Sequence, residues 1–238
     1  VLKDPVNFEV LQTWLNGELV AEHGKTKLRS APGTNLVNHF QCDPLSPEIL
    51  ADPAGSPDYP WPVIEAYDGQ LITGKSTAAP LIKNGKWASD IQQDILKIVV
   101  VNRYKKAPVA KAFIKNFGLK TGAIASSVAH DSHNIIAVGV TDEDISLAVN
   151  RIIAEKGGIS CVNKKKEMVL GLPVAGLMSA ADGYQVAASY TAIDAMAKTL
   201  GSTLQSPFMT LSFMALLVIP HLKLSDLGLF DGDAFKIL

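Results

Sequence analysis

The spacing of apolar residues along this chain predicts many β-strands and few helices. The segment Ile95–Val101 is a continuous run rich in β-branched residues, which is typical of a strand buried on both faces of a sheet. Further strands are predicted over 63–67, 70–73, 123–128, 135–140, 159–162 and 168–172, and the apolar segment 208–219 is predicted to be a central strand. The predicted fold class is α+β (mixed α/β), a mixed β-sheet with a few packed helices.

Two helices are predicted from apolar residues that recur with the helical period. The first follows Thr141, which suits the N-cap because Asp144 stands three residues later, and Gly157 suits its C′ position. The second is predicted over 184–200 and ends at Gly201. Its expected buried stripe consists of Val186, Tyr190, Ile193, Met196, Ala197 and Leu200.

Pairs of turn-forming residues indicate β-hairpins. Asn16-Gly17 lies between two short apolar runs, and this pair suits a type I′ turn because both central residues need positive φ. Asp68-Gly69 and Asn84-Gly85 predict two more hairpins. A single hairpin is marginal in water, so the strands around Asn16 are expected to complete a β-domain with residues from elsewhere.

These patterns divide the chain into three regions. Residues 1–30 hold the first hairpin, residues 31–62 form a connector rich in Pro, Asn, Asp and Gly, and residues 63–238 form the main domain. The chain starts at Val1 and not at Met, so its first residues are interpreted as the end of a preceding structure.

The composition excludes several kinds of protein. Lys and Arg number 22 and Asp and Glu number 23, so a net charge of −1 gives no attraction to nucleic acid or to an anionic membrane. The longest apolar stretch, 211–219, is far shorter than the roughly 20 residues that span a bilayer. The 2 cysteines make no disulfide framework, and no signal peptide is recognised, so a reducing, cytoplasmic location is expected.

The densest group of chemically active residues is the polar cluster His130, Asp131, Ser132, His133 and Asn134, between two predicted strands. Imidazole, carboxylate, hydroxyl and amide groups can together bind a metal, a purine or one another. In an extended segment, alternate residues face opposite ways. On spacing alone, the favoured interpretation is a polar loop whose side chains bond to buried backbone groups.

The segment 69–76 matches the phosphate-binding pattern G-x-x-x-x-G-K-[ST]. That chemistry requires the loop to open directly into a helix, whose N-terminal N–H groups face phosphate. Here Pro80 follows closely, and Leu71 to Thr73 are strand-forming residues. The match is therefore interpreted as a coincidence, and a P-loop nucleotide binder is the least favoured function.

Other groups carry weaker signals. His39, Cys42 and Asp43 could form half of a metal site, but no second half is visible, and a solvated loop is favoured. Ser126 and Ser127 lack the G-x-S-x-G elbow of hydrolases, so core or backbone roles are expected. The H-x-E and P-C-x-x-C signature of the zinc-dependent base deaminases is absent from the sequence, which excludes that class.

Three long strings resemble the C-terminal domain of adenine deaminases in the amidohydrolase superfamily. They are NFGLKTGAIASSVAHDSHNIIAVG (116–139), GLPVAGLMS (171–179) and PFMTLSFMALLVIPHLKLSDLGLFD (207–231). The resemblance covers residue 97 to the end. The earlier string NFEVLQTWLNGELVAEHGK (7–25) resembles the segment that follows the metal-binding barrel in this superfamily, which agrees with the hairpin that lacks a complete sheet.

The resemblance implies a function that is shared with residues outside this sequence. In this family a divalent metal centre, manganese or iron, lies in a (β/α)₈ barrel and activates the water that converts adenine to hypoxanthine and ammonia. A barrel needs about 250 residues, so the metal ligands are expected outside this chain. The resemblance places His130, Asp131 and His133 next to the active site as catalytic candidates, with Ser132 and Asn134 as candidates for binding the substrate.

The resemblance therefore predicts a C-terminal portion of an adenine deaminase that is inactive by itself and serves purine salvage. Its partners would be adenine, the missing barrel segment and further copies of itself in a homo-oligomer, because unpaired strands and apolar segments need cover. The alternative is an assembly domain without a catalytic role, which stabilises the barrel or an oligomer. The two hypotheses differ on whether the cluster at 130–134 touches ligand or metal.

Overall fold

The computed structural model describes residues 1–29, 36–53, 60–79 and 81–238. In chain order its elements are β1 (Gln12–Leu15), β2 (Glu18–Glu22), β3 (Lys25–Thr26), α1 (Pro47–Leu50), β4 (Trp61–Glu65), β5 (Gly74–Ala78), β6 (Leu81–Lys83), β7 (Lys86–Ala88), β8 (Ile95–Val101), β9 (Ala110–Lys115), β10 (Ala123–Ser126), β11 (Ile135–Gly139), α2 (Asp142–Glu155), β12 (Gly158–Val162), β13 (Glu167–Gly171), α3 (Gly183–Thr199), α4 (Pro207–Phe213), β14 (Leu222–Ser225), β15 (Gly228–Asp231) and β16 (Lys236–Ile237). Over these residues, no helix combines the length and apolar character that crossing a membrane requires.

The centre of the main domain is an eight-stranded mixed sheet. Its strand order is β13-β12-β10-β11-β8-β9-β4-β5. Neighbouring strands are antiparallel, apart from β4 and β9, which pair in parallel. The predicted class, α+β with a mixed sheet and a few packed helices, is confirmed.

Both faces of this sheet are covered by helices, and a separate hydrophobic core lies on each face. Alternate residues of β8 point to opposite faces, so Val99 packs with α2 while Ile98 packs with α3 and α4. Every residue of β8 is buried. Full burial of one such aliphatic side chain contributes about 1.5–3 kcal/mol, so these two cores hold the ends of the strands in a fixed arrangement.

The chain divides into two compact units, residues 1–34 and 35–238. The first contains a three-stranded antiparallel sheet, β1-β2-β3. At its predicted turn, Asn16 has φ 50° and Gly17 has φ 84°, as a type I′ turn requires. The second contains the eight-stranded sheet, the small sheet β14-β15-β16 and the hairpin β6-β7, whose turn residues Asn84 and Gly85 also have positive φ.

Thr73 joins distant parts of the second unit. Its buried side chain accepts hydrogen bonds from the backbone N–H groups of His221 (3.1 Å) and Leu222 (3.1 Å) and donates one to the carbonyl oxygen of Leu222 (2.8 Å). The backbone N–H of Thr73 also donates to Pro220 (3.0 Å). These bonds hold the β4–β5 connection against the start of β14.

The first predicted helix is confirmed at its beginning. The Thr141 hydroxyl accepts the N–H of Asp144 (3.1 Å) and donates to its carboxylate (3.0 Å). At its end, Lys156 is the C-cap with φ 55°, so Gly157 occupies the predicted C′ position. The latter also has positive φ, and a Cβ at Gly157 would lie 2.4 Å from the backbone of Gly176, so close packing explains this glycine.

Two predicted strands are wrong. Residues 208–219 do not form a central strand, since Pro207–Phe213 is helix α4. Proline in the first turn favours a helix that begins at Pro207. The helix is buried on nearly all sides, so its sequence shows no polar face from which a helical period could be recognised. Residues 70–73 are not a strand either, because the β4–β5 hairpin has a longer connection and β5 begins at Gly74.

The buried stripe predicted for α3 is correct only in its second half. Ile193, Met196, Ala197 and Leu200 are buried, whereas Val186 is partly buried and Tyr190 is exposed. The predicted connector at 31–62 falls partly on 31–35 and 54–59, which lie outside the described residues. Its described part contains the short helix α1 and the first residues of β4.

Candidate active site

The polar cluster forms the loop between the antiparallel strands β10 and β11. Two backbone hydrogen bonds shape this loop: the N–H of His130 donates to Ser212 (3.1 Å), and the N–H of His133 donates to Ala129 (2.7 Å). His133 lies in the left-handed region with φ 52°. The loop is thus tied to α4 on one side and folded back on itself on the other.

The structure brings the two histidines together. Their ring centroids lie 5.5 Å apart with the rings nearly perpendicular. The ring of His130 also stacks on Phe213 of α4, with 4.9 Å between centroids and 22° between planes. Packing on both sides limits the rotation of the His130 ring, which fixes the position of His133 beside it.

Arg103, after the end of β8, forms the centre of a network beside the loop. Its guanidinium is buried, with its Cζ 4.6 Å from the ring centroid of Tyr104 and 5.4 Å from that of Phe40. It donates to Asn38 (3.3 Å), to the Tyr104 hydroxyl (3.0 Å) and to the carbonyl oxygen of Ala175 (2.8 Å). Oxygen atoms without formal charge therefore hold this cation.

Tyr104 carries the network into the loop. Its hydroxyl donates to the carbonyl oxygen of Ser132 (2.8 Å). The Asn134 side chain is buried, accepts the N–H of Arg103 (3.3 Å) and donates to the Ser132 hydroxyl (3.2 Å). Asn134 thus holds the loop, while Asp131 and Ser132 are exposed at its tip.

Two buried polar atoms of the polar cluster and the adjoining Arg103 have no hydrogen-bond partner among the described residues. They are Nδ1 of His133 and Nε of Arg103, and the one further such side-chain atom is the hydroxyl of Ser202. Burial lowers the pKa of His133, the neighbouring His130 and Arg103 lower it further, and Asp131 opposes them. His133 therefore favours the neutral state in which an imidazole can accept a proton.

The described residues contain no group of three or more His, Cys, Asp or Glu side chains that could hold a metal ion. His39 lies beside Tyr104, with 5.7 Å between ring centroids, while Asp43 pairs with Lys106 (3.7 Å). Burial raises the pKa of Cys42 to about 11, which disfavours the thiolate that metals bind. His39, Cys42 and Asp43 thus do not make a metal site in the described residues.

Two further sequence motifs have structural roles. Gly74, Lys75 and Ser76 lie in strand β5 and not at the start of a helix, so the match to the phosphate-binding loop is a coincidence, as predicted. The hydroxyl of Ser127 donates to Gly176 (2.6 Å) and accepts the N–H of Gly158 (2.8 Å). The predicted backbone role of this serine is confirmed.

A cleft of about 940 Å³ lies elsewhere on the domain, between the start of α2 and the β6–β7 hairpin. Its described lining includes Trp87, Thr141 and Glu143 and contains no residue of the polar cluster. The buried nitrogen atoms of His133 and Arg103, which have no hydrogen-bond partner in the described part of the chain, mark the polar cluster and its surroundings as the candidate active site.

Three residues of the site were missed by sequence reasoning, namely Arg103, Tyr104 and Phe213. Arg103 and Tyr104 reach the cluster because β8 pairs with β11, with Val101 opposite Ile135. The sequence does not show that β8 and β11 are neighbours, so it could not place Arg103 and Tyr104 beside the cluster. Phe213 was assigned to a strand, so its position on the same side as His130 was not foreseen.

The chain is similar to proteins named adenine deaminase. The family model described as the adenine deaminase C-terminal domain matches residues 70–236. A protein from Methanosarcina acetivorans named adenine deaminase is 48% identical over 99% of this chain and 44% of its own length. Proteins with the same name from Salinibacter ruber and Borreliella burgdorferi are 45% and 42% identical, over 43% of their own lengths. The chain therefore spans less than half the length of these curated relatives.

Proposed function

The chain belongs to the adenine deaminase family, and on this premise we propose that it is the C-terminal part of an enzyme that hydrolyses adenine to hypoxanthine and ammonia. The family match covers most of the chain, and the relatives carry more than half of their length outside the aligned segment. The catalytic barrel belongs, in this proposal, to that outside part. The domain boundaries 1–30, 31–62 and 63–238 remain part of the same proposal.

The proposed metal centre also lies outside this chain. A divalent cation, manganese or iron, would generate the attacking hydroxide at neutral pH. In this proposal the chain contributes the polar cluster to the surroundings of the substrate.

We assign His133 the transfer of a proton during deamination. Water adds to C6 of adenine, the amino group leaves as ammonia, and a proton must pass from the water to the leaving nitrogen. A neutral imidazole with a free ring nitrogen can accept and release that proton. The observation that carries this assignment is the buried Nδ1 of His133, which lies beside the cation of Arg103 and has no hydrogen-bond partner within the described ranges of the chain.

The neighbouring residues position His133 and the substrate. His130 holds the ring of His133 through its own stacking on Phe213, and the Arg103 cation favours negative charge that develops on the purine ring. Asp131 and Ser132, at the exposed tip, are the groups of this loop that a purine would meet first. Asn134 supports the binding of substrate by fixing the Ser132 hydroxyl.

The test is His133→Gln in the full-length enzyme. Loss of the proton carrier should reduce kcat by about 100-fold or more, because positioned proton transfer contributes on the order of 10²–10⁴. Bound metal should be unchanged, because the proposal places the metal ligands outside this chain. His23→Gln, an exposed histidine in the other unit, is the matched control. A kcat within twofold of the control would remove His133 from the mechanism.

The second candidate function is an assembly domain that stabilises the barrel or a homo-oligomer. Exposed apolar side chains such as Met178 (57% exposed) and Val37 (78% exposed) favour it. In that case His133→Gln would leave turnover intact. A cytoplasmic role in purine salvage completes the proposal, and the two cysteines, which form no disulfide, are compatible with a reducing compartment.

A further inference from the structure

The first half of α3 lies outside the core of the domain. Of residues 183–192, nine are exposed and Val186 is partly buried. The buried residues of this helix are Ile193, Met196 and Ala197, all in its second half. Tyr190 marks the boundary, with its ring centroid 6.4 Å from that of Phe208 and 36% of its surface exposed.

The composition of this half does not suit a helix that faces water. No charged residue lies between Asp182 and Asp194, and the stretch is dominated by alanine, tyrosine and other uncharged residues. A helix exposed to solvent is normally lined by charged side chains and stabilised by their pairs. The ion pair within α3, Asp194 with Lys198 (2.7 Å), lies in the packed half. Alanine side chains also let a second helix or strand approach closely.

Exposed apolar residues continue from α3 toward the candidate active site. The loop before α3 exposes Met178, and its Ala175 N–H donates to the carbonyl oxygen of the exposed Val37 (2.6 Å). The carbonyl oxygen of Ala175 accepts a hydrogen bond from Arg103. The α3 face is defined as Val37, Met178 and the first half of α3 (residues 183–192), and it is connected to Arg103 through Val37 and Ala175.

We infer that the α3 face is the docking surface for the catalytic part of the same polypeptide, the part that the relatives carry outside the aligned segment. This inference rests on the proposed function. The chain covers 44% of the Methanosarcina acetivorans relative, so more than half of such a protein needs a surface on which to pack. The connection of this face to Arg103 favours the catalytic part over a second copy, because only the catalytic part must meet the site.

Photocrosslinking in the full-length enzyme tests the occupant. A benzophenone side chain is placed at Ala188 of α3, and the product is separated on a denaturing gel and mapped by mass spectrometry. The expected product has the mass of one chain and joins position 188 to a peptide outside the 238 residues. A product with the mass of two chains, a link inside the 238 residues, or no crosslink would each overturn the inference. The same substitution at Gln185, one turn earlier on the helix, provides a second position.

Thiol labelling measures independently whether the α3 face is shielded from solvent in the full-length enzyme. In the full-length enzyme, Ala188→Cys should react with a maleimide at least tenfold more slowly than Lys165→Cys, which lies on an exposed turn. Both should react equally after unfolding in urea. Equal rates in the folded enzyme would show that the face is open. Neither readout involves adenine, so a correct docking surface on an enzyme with another substrate would still be recognised.

Discussion

The buried cations Arg103 and Lys223 give this domain unusual local chemistry. Arg103 is held by carbonyl, amide and hydroxyl oxygens beside the polar cluster. Lys223 is fully buried in β14, and its ammonium donates to the carbonyl oxygens of Leu71 (2.6 Å) and Phe213 (3.0 Å). Burial lowers the pKa of Lys223 to about 8, since it disfavours the charged form. Phe213 thus touches both the buried amine and the His130 ring.

Lys223→Met should change how stability depends on pH. The pKa of Lys223 is about 8 in the folded chain and about 10.4 when unfolded, so between these values the unfolded chain binds more protons. The contribution of Lys223 to stability is present above the unfolded pKa and is lost as pH falls through the folded pKa. The wild-type chain should gain about 2–3 kcal/mol relative to Lys223→Met between pH 8 and pH 10.5.

Urea unfolding at several pH values measures this difference. Lys166→Met, which removes an exposed lysine, is the control and should run parallel to the wild type. Parallel curves for Lys223→Met as well would contradict the lowered pKa of the buried amine.

Gly176→Ala should disturb the candidate site through Arg103. A Cβ at this position would lie 2.1 Å from Nη1 of Arg103, and the backbone φ is 73°. We expect a loss of roughly 2–4 kcal/mol, of which about 1–2 kcal/mol comes from the left-handed backbone. Displacing the guanidinium should also raise the pKa of His133, because the cation lowers it.

Gly69→Ala separates the cost of the left-handed backbone from the cost of the clash with Arg103. Gly69 has φ 68°, and a Cβ added there would meet no atom within 4 Å, so this variant shows the backbone cost alone. Urea unfolding gives the stability, and NMR titration of the histidine ring protons gives the pKa. An unchanged His133 pKa in Gly176→Ala would show that Arg103 does not act on that ring.

The sequence located the histidines of the site but not their cationic neighbour. Five polar residues in succession stood out between two predicted strands, and His130 and His133 do meet. Arg103 follows a strand as one of many ordinary basic residues, and only the pairing of β8 with β11 brings it beside position 134. Contacts that depend on strand register are not readable from composition or periodicity.

At the scale of secondary-structure elements, turns and helix caps were predicted correctly where the interactions that form them lie within a few residues of each other in the chain. The Asn16-Gly17 turn and the Thr141 cap formed as predicted because their hydrogen bonds and dihedral angles involve near neighbours in the chain. Helix α4 was missed because it is buried nearly all round, and such a helix shows no polar face. For α3, the period was read correctly, but the burial of its first half depends, in our proposal, on residues beyond this chain.

Thr141→Ala should destabilise the main domain by about 1 kcal/mol, because it removes the hydrogen bond that the N–H of Asp144 makes at the start of α2. Thr141→Ser keeps the hydroxyl group and should retain most of the stability. Urea unfolding of both variants measures the difference. Equal losses for alanine and serine would show that the methyl group, not the cap, stabilises this helix.

At the scale of the whole molecule, the reactivity of the two thiols reports whether the chain is folded. Burial raises the pKa of Cys42 to about 11 and that of Cys161 to about 12, so little thiolate exists at neutral pH. At pH 7.5 both should react with a disulfide reagent at least about 100-fold more slowly than free cysteine. Monitoring the released chromophore with and without urea checks this. Rapid reaction of one equivalent without urea would indicate a locally open structure around Cys42.

The hydrogen bonds between Thr73 and Leu222 also affect folding during synthesis, because they join residues that the ribosome makes at very different times. Thr73 is 149 positions away from Leu222, to which it is bonded through its hydroxyl. Until residues 220–222 emerge from the exit tunnel, the connection between β4 and β5 lacks the hydrogen bonds that Thr73 makes with them, however early its own residues were translated. Premature termination before residue 220 should therefore leave a nascent chain with an open β4–β5 connection, which quality-control proteases can recognise even though the central strands are already synthesised.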